Sequence, residues 1–461
     1  MAPGSLTVRD GAVGRVGRTS WGAGLSEGIA RYVLMAIILA LPLEFTAMFM
    51  GQPLARWLFV PAGVALLYLL TTRRLTVLIP PSPSSIALLV FITASLASWV
   101  LTRAPGSFRH VADIVMYPIA GLMFVNLART EADHRRAWTA LMVSGLGVAV
   151  VGAVLYITHS TIWTPNPAVA HRLNITFADP NITARFLTLC GVVAVIMFAG
   201  RKGPRWLAVA AALSCAVVIP MTWSRSGLAL FIVSIALAVI LSVDRRRAAA
   251  LGACALVAFV LSTGLNPDTR QRANDAVQTL ASTITGTAHN LSTPQTATSG
   301  QDTFALEDNR RYLIAAGIKM YTDHPLTGVG FGAYQNALIT TYRRFLPPNV
   351  PNPDTVSHTA FMTTAAEQGA LGTLLLLAFL ITLAREAWRS RTVLWVVLPA
   401  TLVVPIFLYS QFEGRFLEEP YLWVCVGLLY SAMLLERRRR VEELVPAVSK
   451  DRPHWRRRET A

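Results

Sequence analysis

Charge is scarce in this chain: Asp, Glu, Lys and Arg make up 14% of its 461 residues, against about a quarter in a typical soluble domain. With 54% of positions apolar, too little polar surface remains to solvate a globule, so the chain reads as a polytopic membrane protein. Acidic residues are scarcer than basic ones, 25 against 41. The surplus of basic residues falls in short clusters between apolar runs, which is how membrane orientation is encoded, and this excludes nucleic acid as a partner. Only four cysteines occur, Cys190, Cys215, Cys254 and Cys425. All lie inside apolar runs without CxxC spacing, which excludes a disulfide framework and leaves buried small hydrophobes. The sequence lacks a D-x-D and any His/Asp/Glu cluster, so no metal site and no cofactor is expected. Gly328-Val-Gly-Phe-Gly lacks the flanking strand and the Lys-Ser/Thr of a phosphate-binding loop. No small-residue cleavage site follows the first apolar run, and no fixed-period repeat is present.

What the chain does have is long apolar runs. Crossing a hydrocarbon core takes about 20 residues. Twelve runs suffice, near 30–50, 55–72, 84–101, 111–128, 137–158, 181–200, 206–223, 226–243, 248–265, 359–383, 392–410 and 419–435. Alternate connections carry Arg73-Arg74, Arg129 with Arg135-Arg136, Arg201-Lys202 with Arg205, Arg245-Arg246-Arg247, and Arg385 with Arg389 and Arg391. These connections and both termini are cytoplasmic by the positive-inside rule. The expected fold is an all-α polytopic membrane protein of about twelve transmembrane helices with one large outer helical segment. In domain terms, 1–29 is a cytoplasmic tail, 30–265 holds helices 1–9, 266–357 is the outer segment, 358–435 holds helices 10–12 and 436–461 is a basic cytoplasmic tail. Within the outer segment, 268–284 and 306–321 have helical spacing, and 286–303 is a Ser/Thr/Gly/Gln tract that cannot bury a core.

Arginines are depleted from short outer connections, so those that occur there carry information. They are Arg103, Arg109, Arg172, Arg225 and Arg415, with Arg310 and Arg311 in the large segment. Arg225 sits in W-S-R-S-G, which joins two apolar runs with almost no loop. An arginine at bilayer depth costs about 2.5 to 3.5 kcal/mol. It either snorkels to lipid phosphates or binds an anionic headgroup, for which its planar fork is suited. Asn181, in F-A-D-P-N-I-T-A-R, either starts a helix or binds sugar hydroxyls. His324 before Pro325 reads as a helix-terminating residue. Asp354, Thr355 and Ser357 are good N-caps, which puts His358 in the first turn of a membrane-entering helix. There the helix's positive end disfavours imidazolium and leaves a ring able to accept a proton. Glu367 lies nine residues on, roughly 14 Å along the axis, too far for a direct acid/base pair.

Ser224-Arg225-Ser226, then Arg310 leading to His324-Pro-Leu-Thr-Gly-Val-Gly-Phe-Gly332, then His358 to Phe361 with Glu367, Gly369 and Gly372, form an ordered set. The set resembles the O-antigen ligase and polymerase superfamily of bacterial inner-membrane proteins, with Ile314 standing where that family often has tryptophan. The resemblance implies glycosyl transfer from an undecaprenyl-diphosphate-linked glycan donor to a lipid A-core acceptor at the periplasmic face of the inner membrane. It implies a metal-independent enzyme in which His358 is the catalytic base and Arg225, Arg310, Arg311, Asn181 and Glu367 contact substrate. An O-antigen polymerase or a protein O-oligosaccharyltransferase would share donor and fold and differ in acceptor. A transporter would carry its ionisable residues in mid-span, where this chain has few.

Overall fold

The computed structural model describes residues 32–43, 48–49, 52–53, 80–162, 172–177, 179–267, 269–271, 274, 310–346, 357 and 359–450, with single positions between 57 and 71; the side chains of 310, 311, 413 and 442–450 are not among them. Among the described residues the fold is all-α apart from a two-residue ladder that pairs Met48–Phe49 with Gln52–Pro53. The helices are α1 (Tyr32–Leu43), α2 (Pro83–Thr102), α3 (Phe108–Leu127), α4 (Glu131–Ile157), α5 (Pro180–Ala199), α6 (Arg205–Thr222) and α7 (Arg225–Leu241). They continue as α8 (Arg245–Leu265), α9 (Arg310–Asp323), α10 (Tyr334–Ile339), α11 (Ala360–Arg389), α12 (Leu394–Glu413) and α13 (Pro420–Lys450). Among the described residues eight helices are long and apolar enough to cross a membrane. The expected runs at 30–50 and 226–243 correspond to the shorter apolar helices α1 and α7. That at 419–435 opens α13, and that at 55–72 falls mostly outside the described residues.

Helix starts follow from their caps. Ser82, Thr130, Asp179, Ser224 and Asp244 each accept a backbone N–H of the first turn they precede, and at α4 the Thr130/Asp133 pair forms a full capping box. α5 is apolar almost all round, and accordingly every residue of it but Asn181, Ile182 and Phe198 is buried. It packs against α4, α6, α7, α8 and α12 as the axis of the bundle. Small residues allow close approach there: Gly145 of α4 lies against Cys190 of α5 and Cys215 of α6. Cys190, Cys215 and Cys425 are buried as expected; Cys254 is exposed, because α8 lies at the edge of the bundle and only about a quarter of it is buried.

At the arginine-rich end, Glu386 of α11 accepts from the Ser84 amide (3.1 Å) and hydroxyl (2.5 Å), and Tyr430 of α13 donates to that hydroxyl (2.8 Å). Three helices are thereby pinned in register. At the other end, α9 and α10 lie over the start of α11, and Leu313, Met320, Tyr334 and Leu338 close a small core on Ala366. These helices belong to the expected outer segment; most of the stretch 268–284 and the whole tract at 286–303 lie outside the described residues.

Candidate functional site

α11 is not continuous. At Gly369 the backbone turns to φ 63°, ψ −157°, a conformation open to glycine and strained for other residues. A break inside a membrane helix strands amides and carbonyls, and each must find a partner in the protein. The segment His324–Gly332 supplies them. Val329 and Gly330 donate to the carbonyls of Ala366 and Glu367 at 2.9 and 2.8 Å, while Ala370 and Leu371 donate to those of Pro325 and Leu326 at 2.7 and 3.3 Å. The glycines make this contact possible. A Cβ at Gly328 (φ 65°) would fall on the Glu367–Gln368 peptide, and one at Gly369 on the Leu326–Thr327 peptide. Gly328→Ala is therefore expected to lower stability by about 2 kcal/mol or more. Gly147→Ala, whose Cβ would meet nothing within 4 Å, is expected to be neutral or slightly stabilising. Thermal unfolding in detergent compares the two.

The break aims Glu367 inward. Its carboxylate, 1% exposed, accepts from the Gly332 amide (3.0 Å), the Tyr334 amide (3.1 Å) and both Nη atoms of Arg415 (2.8 and 2.5 Å). Arg415 lies in the short connection between α12 and α13, where Glu418 also reaches it at 3.3 Å. Glu418 in turn contacts His110 Nδ1 of α3 at 2.8 Å. Glu419 accepts from Arg185 of α5 at 2.8 Å, and that guanidinium lies over the Tyr421 ring. Burial opposes the charge on Arg415, yet Glu367 and Glu418 outweigh it and raise its pKa above the usual guanidinium value. Burial likewise pushes the Glu418 carboxyl up, but Arg415 and His110 hold it below its ordinary value. For Glu419 burial prevails over Arg185, and the pKa is raised. The connection 414–419 is thus a charged knot that ties α3, α5 and the broken helix together.

A second cluster sits one turn up α5 from Arg185, at Asn181. Asn181 Oδ1 accepts from Ser224 Oγ (2.6 Å) and Arg172 Nη2 (3.3 Å), and Arg172 also donates to the carbonyls of Thr222 and Trp223. Trp223 turns the chain with φ 53°, Ser224 caps α7 by accepting from the Gly227 amide at 3.0 Å, and Arg225 is the first residue of that helix. The D-P-N and S-R-S pieces, 43 positions apart, therefore meet. Asn181 and Arg225 stand at the same end of the bundle as the Glu367 knot.

The other sequence candidates are placed less completely. Arg310 and Arg311 open α9, which packs on the first half of α11, and their side chains lie outside the described residues. α9 ends at Asp323, so His324 follows it as the expected terminator, with its carbonyl accepting from Gly328 at 2.9 Å. α11 begins at Ala360 with Thr359 as its N-cap, later than the start expected from Asp354, Thr355 and Ser357. Ser357 Oγ contacts Thr363 Oγ1 at 2.8 Å, and His358 lies outside the described residues. Among the described residues no group of three or more His, Cys, Asp or Glu is arranged to hold a metal. Sequence reasoning flagged Arg415 and Arg172 only as unusual outer arginines and missed Glu418, Glu419, His110 and Arg185. Their one visible signal is charge in or beside short outer connections.

Residues 209–377 match a family model described as O-antigen ligase. The match contains the Ser224–Ser226 turn, α9, the glycine-rich segment and the break at Gly369; Asn181 precedes it and Arg415 follows it. No curated protein matches the chain. The family match agrees with the motif set and supports a function of the O-antigen ligase or polymerase type, carried out by a glycosyltransferase-like membrane enzyme.

Proposed function

We propose, from a multi-helix membrane protein that carries an O-antigen ligase domain, that the chain ligates O-antigen from undecaprenyl diphosphate onto lipid A-core oligosaccharide at the periplasmic face of the bacterial inner membrane. One observation carries this reading: the two motif clusters, Asn181–Ser224–Arg225 and the Gly332–Glu367–Arg415 knot, lie at one end of the bundle, opposite the arginine-rich connections. In the transfer, the bond between the anomeric carbon and the diphosphate oxygen breaks, and a bond from that carbon to the acceptor oxygen forms. The hydroxyl proton passes to His358 as general base. Arg225, with Arg310 and Arg311 from the start of α9, holds the diphosphate and stabilises the charge it gains as it leaves, without a metal. Asn181 binds sugar hydroxyls beside them. Glu367 acts at one remove: its carboxylate is occupied by four donors, and it fixes Arg415 and the glycine-rich segment in place.

Lipopolysaccharide profiles of a deletion strain test the reading. Unligated core with lipid-linked polymer retained supports ligation onto lipid A-core. A product carrying a single repeat indicates a polymerase instead, and unchanged lipopolysaccharide with loss of glycoprotein indicates a protein glycosyltransferase. Orientation has its own check. Single cysteines at Thr293 and Arg246, in a Cys254→Ala parent, are expected to react with an impermeant thiol reagent in intact cells at Thr293 only; labelling at Arg246 would reverse the topology. Arg225→Lys keeps the charge and loses the bidentate fork. Loss of one charge-assisted bond costs about 1.5 to 3 kcal/mol, so donor turnover should fall on the order of tenfold or more with expression unchanged. Normal turnover of Arg225→Ala would leave snorkelling as the role of this side chain.

A further inference from the structure

At the end of the bundle away from the site, α7, α8, α11 and α12 part around a cavity of about 1010 Å³. Ile240, Val397 and Val404 line its apolar side. At its polar rim stand Arg245 and Arg246, the first two residues of α8, and Arg391, two residues past the end of α11. Arg391 is stacked on Trp388, with Cζ 4.3 Å from the ring centroid, which fixes its guanidinium at the rim. The lining contains one acid, Asp244. That carboxylate is already engaged, because it accepts from the Arg247 amide at 3.2 Å and pairs with Arg247 Nε at 3.4 Å. Among the described residues neither Arg245 nor Arg246 has an ion-pair partner.

Positive-inside placement explains arginines on this side of the membrane, but it explains neither a cavity between them nor their position on α8. The N-terminus of a helix is its positive end, where cations are disfavoured and anions favoured. Two unpaired guanidinium groups there, with a third held across the cavity by Trp388, make a site whose charge calls for an anion. The apolar walls say what is attached to it. We propose that this cavity binds an anionic phospholipid of the adjoining leaflet, with its phosphates on Arg245, Arg246 and Arg391 and its acyl chains along Ile240, Val397 and Val404. Three cations match a two-phosphate lipid of the diphosphatidylglycerol class better than a lipid with one phosphate, and basic pockets between helices at this membrane level suit such headgroups. The site is separate from the one that takes substrate: past the break at Gly369, Ala370 and Arg389 are 19 residues apart on α11, roughly 28 Å at 1.5 Å per residue.

Native mass spectrometry of the detergent-purified protein tests this, with tetraoleoyl diphosphatidylglycerol, dioleoyl phosphatidylglycerol and dioleoyl phosphatidylcholine as probes. The parent should retain one diphosphatidylglycerol at activation energies that strip phosphatidylcholine, with phosphatidylglycerol between them. Arg245→Gln/Arg246→Gln/Arg391→Gln should weaken that adduct on the order of tenfold or more, while Arg437→Gln/Arg438→Gln/Arg440→Gln on the exposed face of α13 should leave it unchanged. Ala400→Phe, which fills the cavity wall without touching charge or topology, should weaken it as well and keeps the test decisive if the arginine variant does not fold. An adduct that survives Ala400→Phe, equal loss in both arginine variants, or displacement of the lipid by millimolar inorganic phosphate would each overturn the proposal.

Discussion

Alanine at Arg415 is expected to cost about 3 to 5 kcal/mol of stability, the scale for removing one partner of a buried ion pair. Glu367 would keep its two amide donors from Gly332 and Tyr334 but lose both guanidinium bonds, which leaves a carboxylate charge uncompensated in the bundle. The damage should spread from there. Glu418 would lose the cation that offsets its burial, and the carboxylate that receives the end of the segment 324–332 would no longer be neutralised. Thermal unfolding in detergent reads the effect. Arg415→Met combined with Glu367→Gln should recover part of the loss, because it removes both charges and keeps one side-chain carbonyl to accept one of the two amides, which the carboxylate takes on separate oxygens. A single variant that loses less than about 1 kcal/mol would show that the pair is not held away from solvent.

The largest expected effect on activity is that of His358→Ala. A positioned proton acceptor typically contributes roughly 10²- to 10⁴-fold, or about 3 to 5 kcal/mol in activation terms. The expected pattern is a fall of that size in turnover with lipid-linked donor and rough lipopolysaccharide acceptor, with donor binding retained. His324→Ala should change turnover much less, since that residue ends α9 and is exposed. Turnover of His358→Ala within about tenfold of the parent would remove the base assignment. Loss of donor binding in the same variant would move His358 into the diphosphate site beside Arg225.

Much of this architecture could be read from local signals, because local physics produces it. The apolar runs give the helices, and Asp179, Ser224 and Asp244 mark helix starts through caps that their own neighbours satisfy. What could not be read is what depends on pairing across distance. Gly328-Val-Gly-Phe-Gly reads alone as a flexible turn, and Gly369 reads alone as a helix glycine. Their meaning is mutual, since each backbone fits only because the other lacks a Cβ. In the same way Arg415 was visible as an arginine out of place, but its partner lies 48 residues earlier, inside a run whose hydropathy gave no sign of a break. Asn181 and Arg225 were each legible as candidates, whereas Arg172, which ties the two pieces together, carried no signal beyond its position in an outer connection.

The most direct test of the account is reconstitution. Purified protein in vesicles, supplied with undecaprenyl-diphosphate-linked O-antigen and lipid A-core without added divalent cation, should yield core-attached glycan and free undecaprenyl diphosphate in equal amounts. Consumption of donor only into longer lipid-linked chains, or no transfer with donor and acceptor both intact, would contradict it.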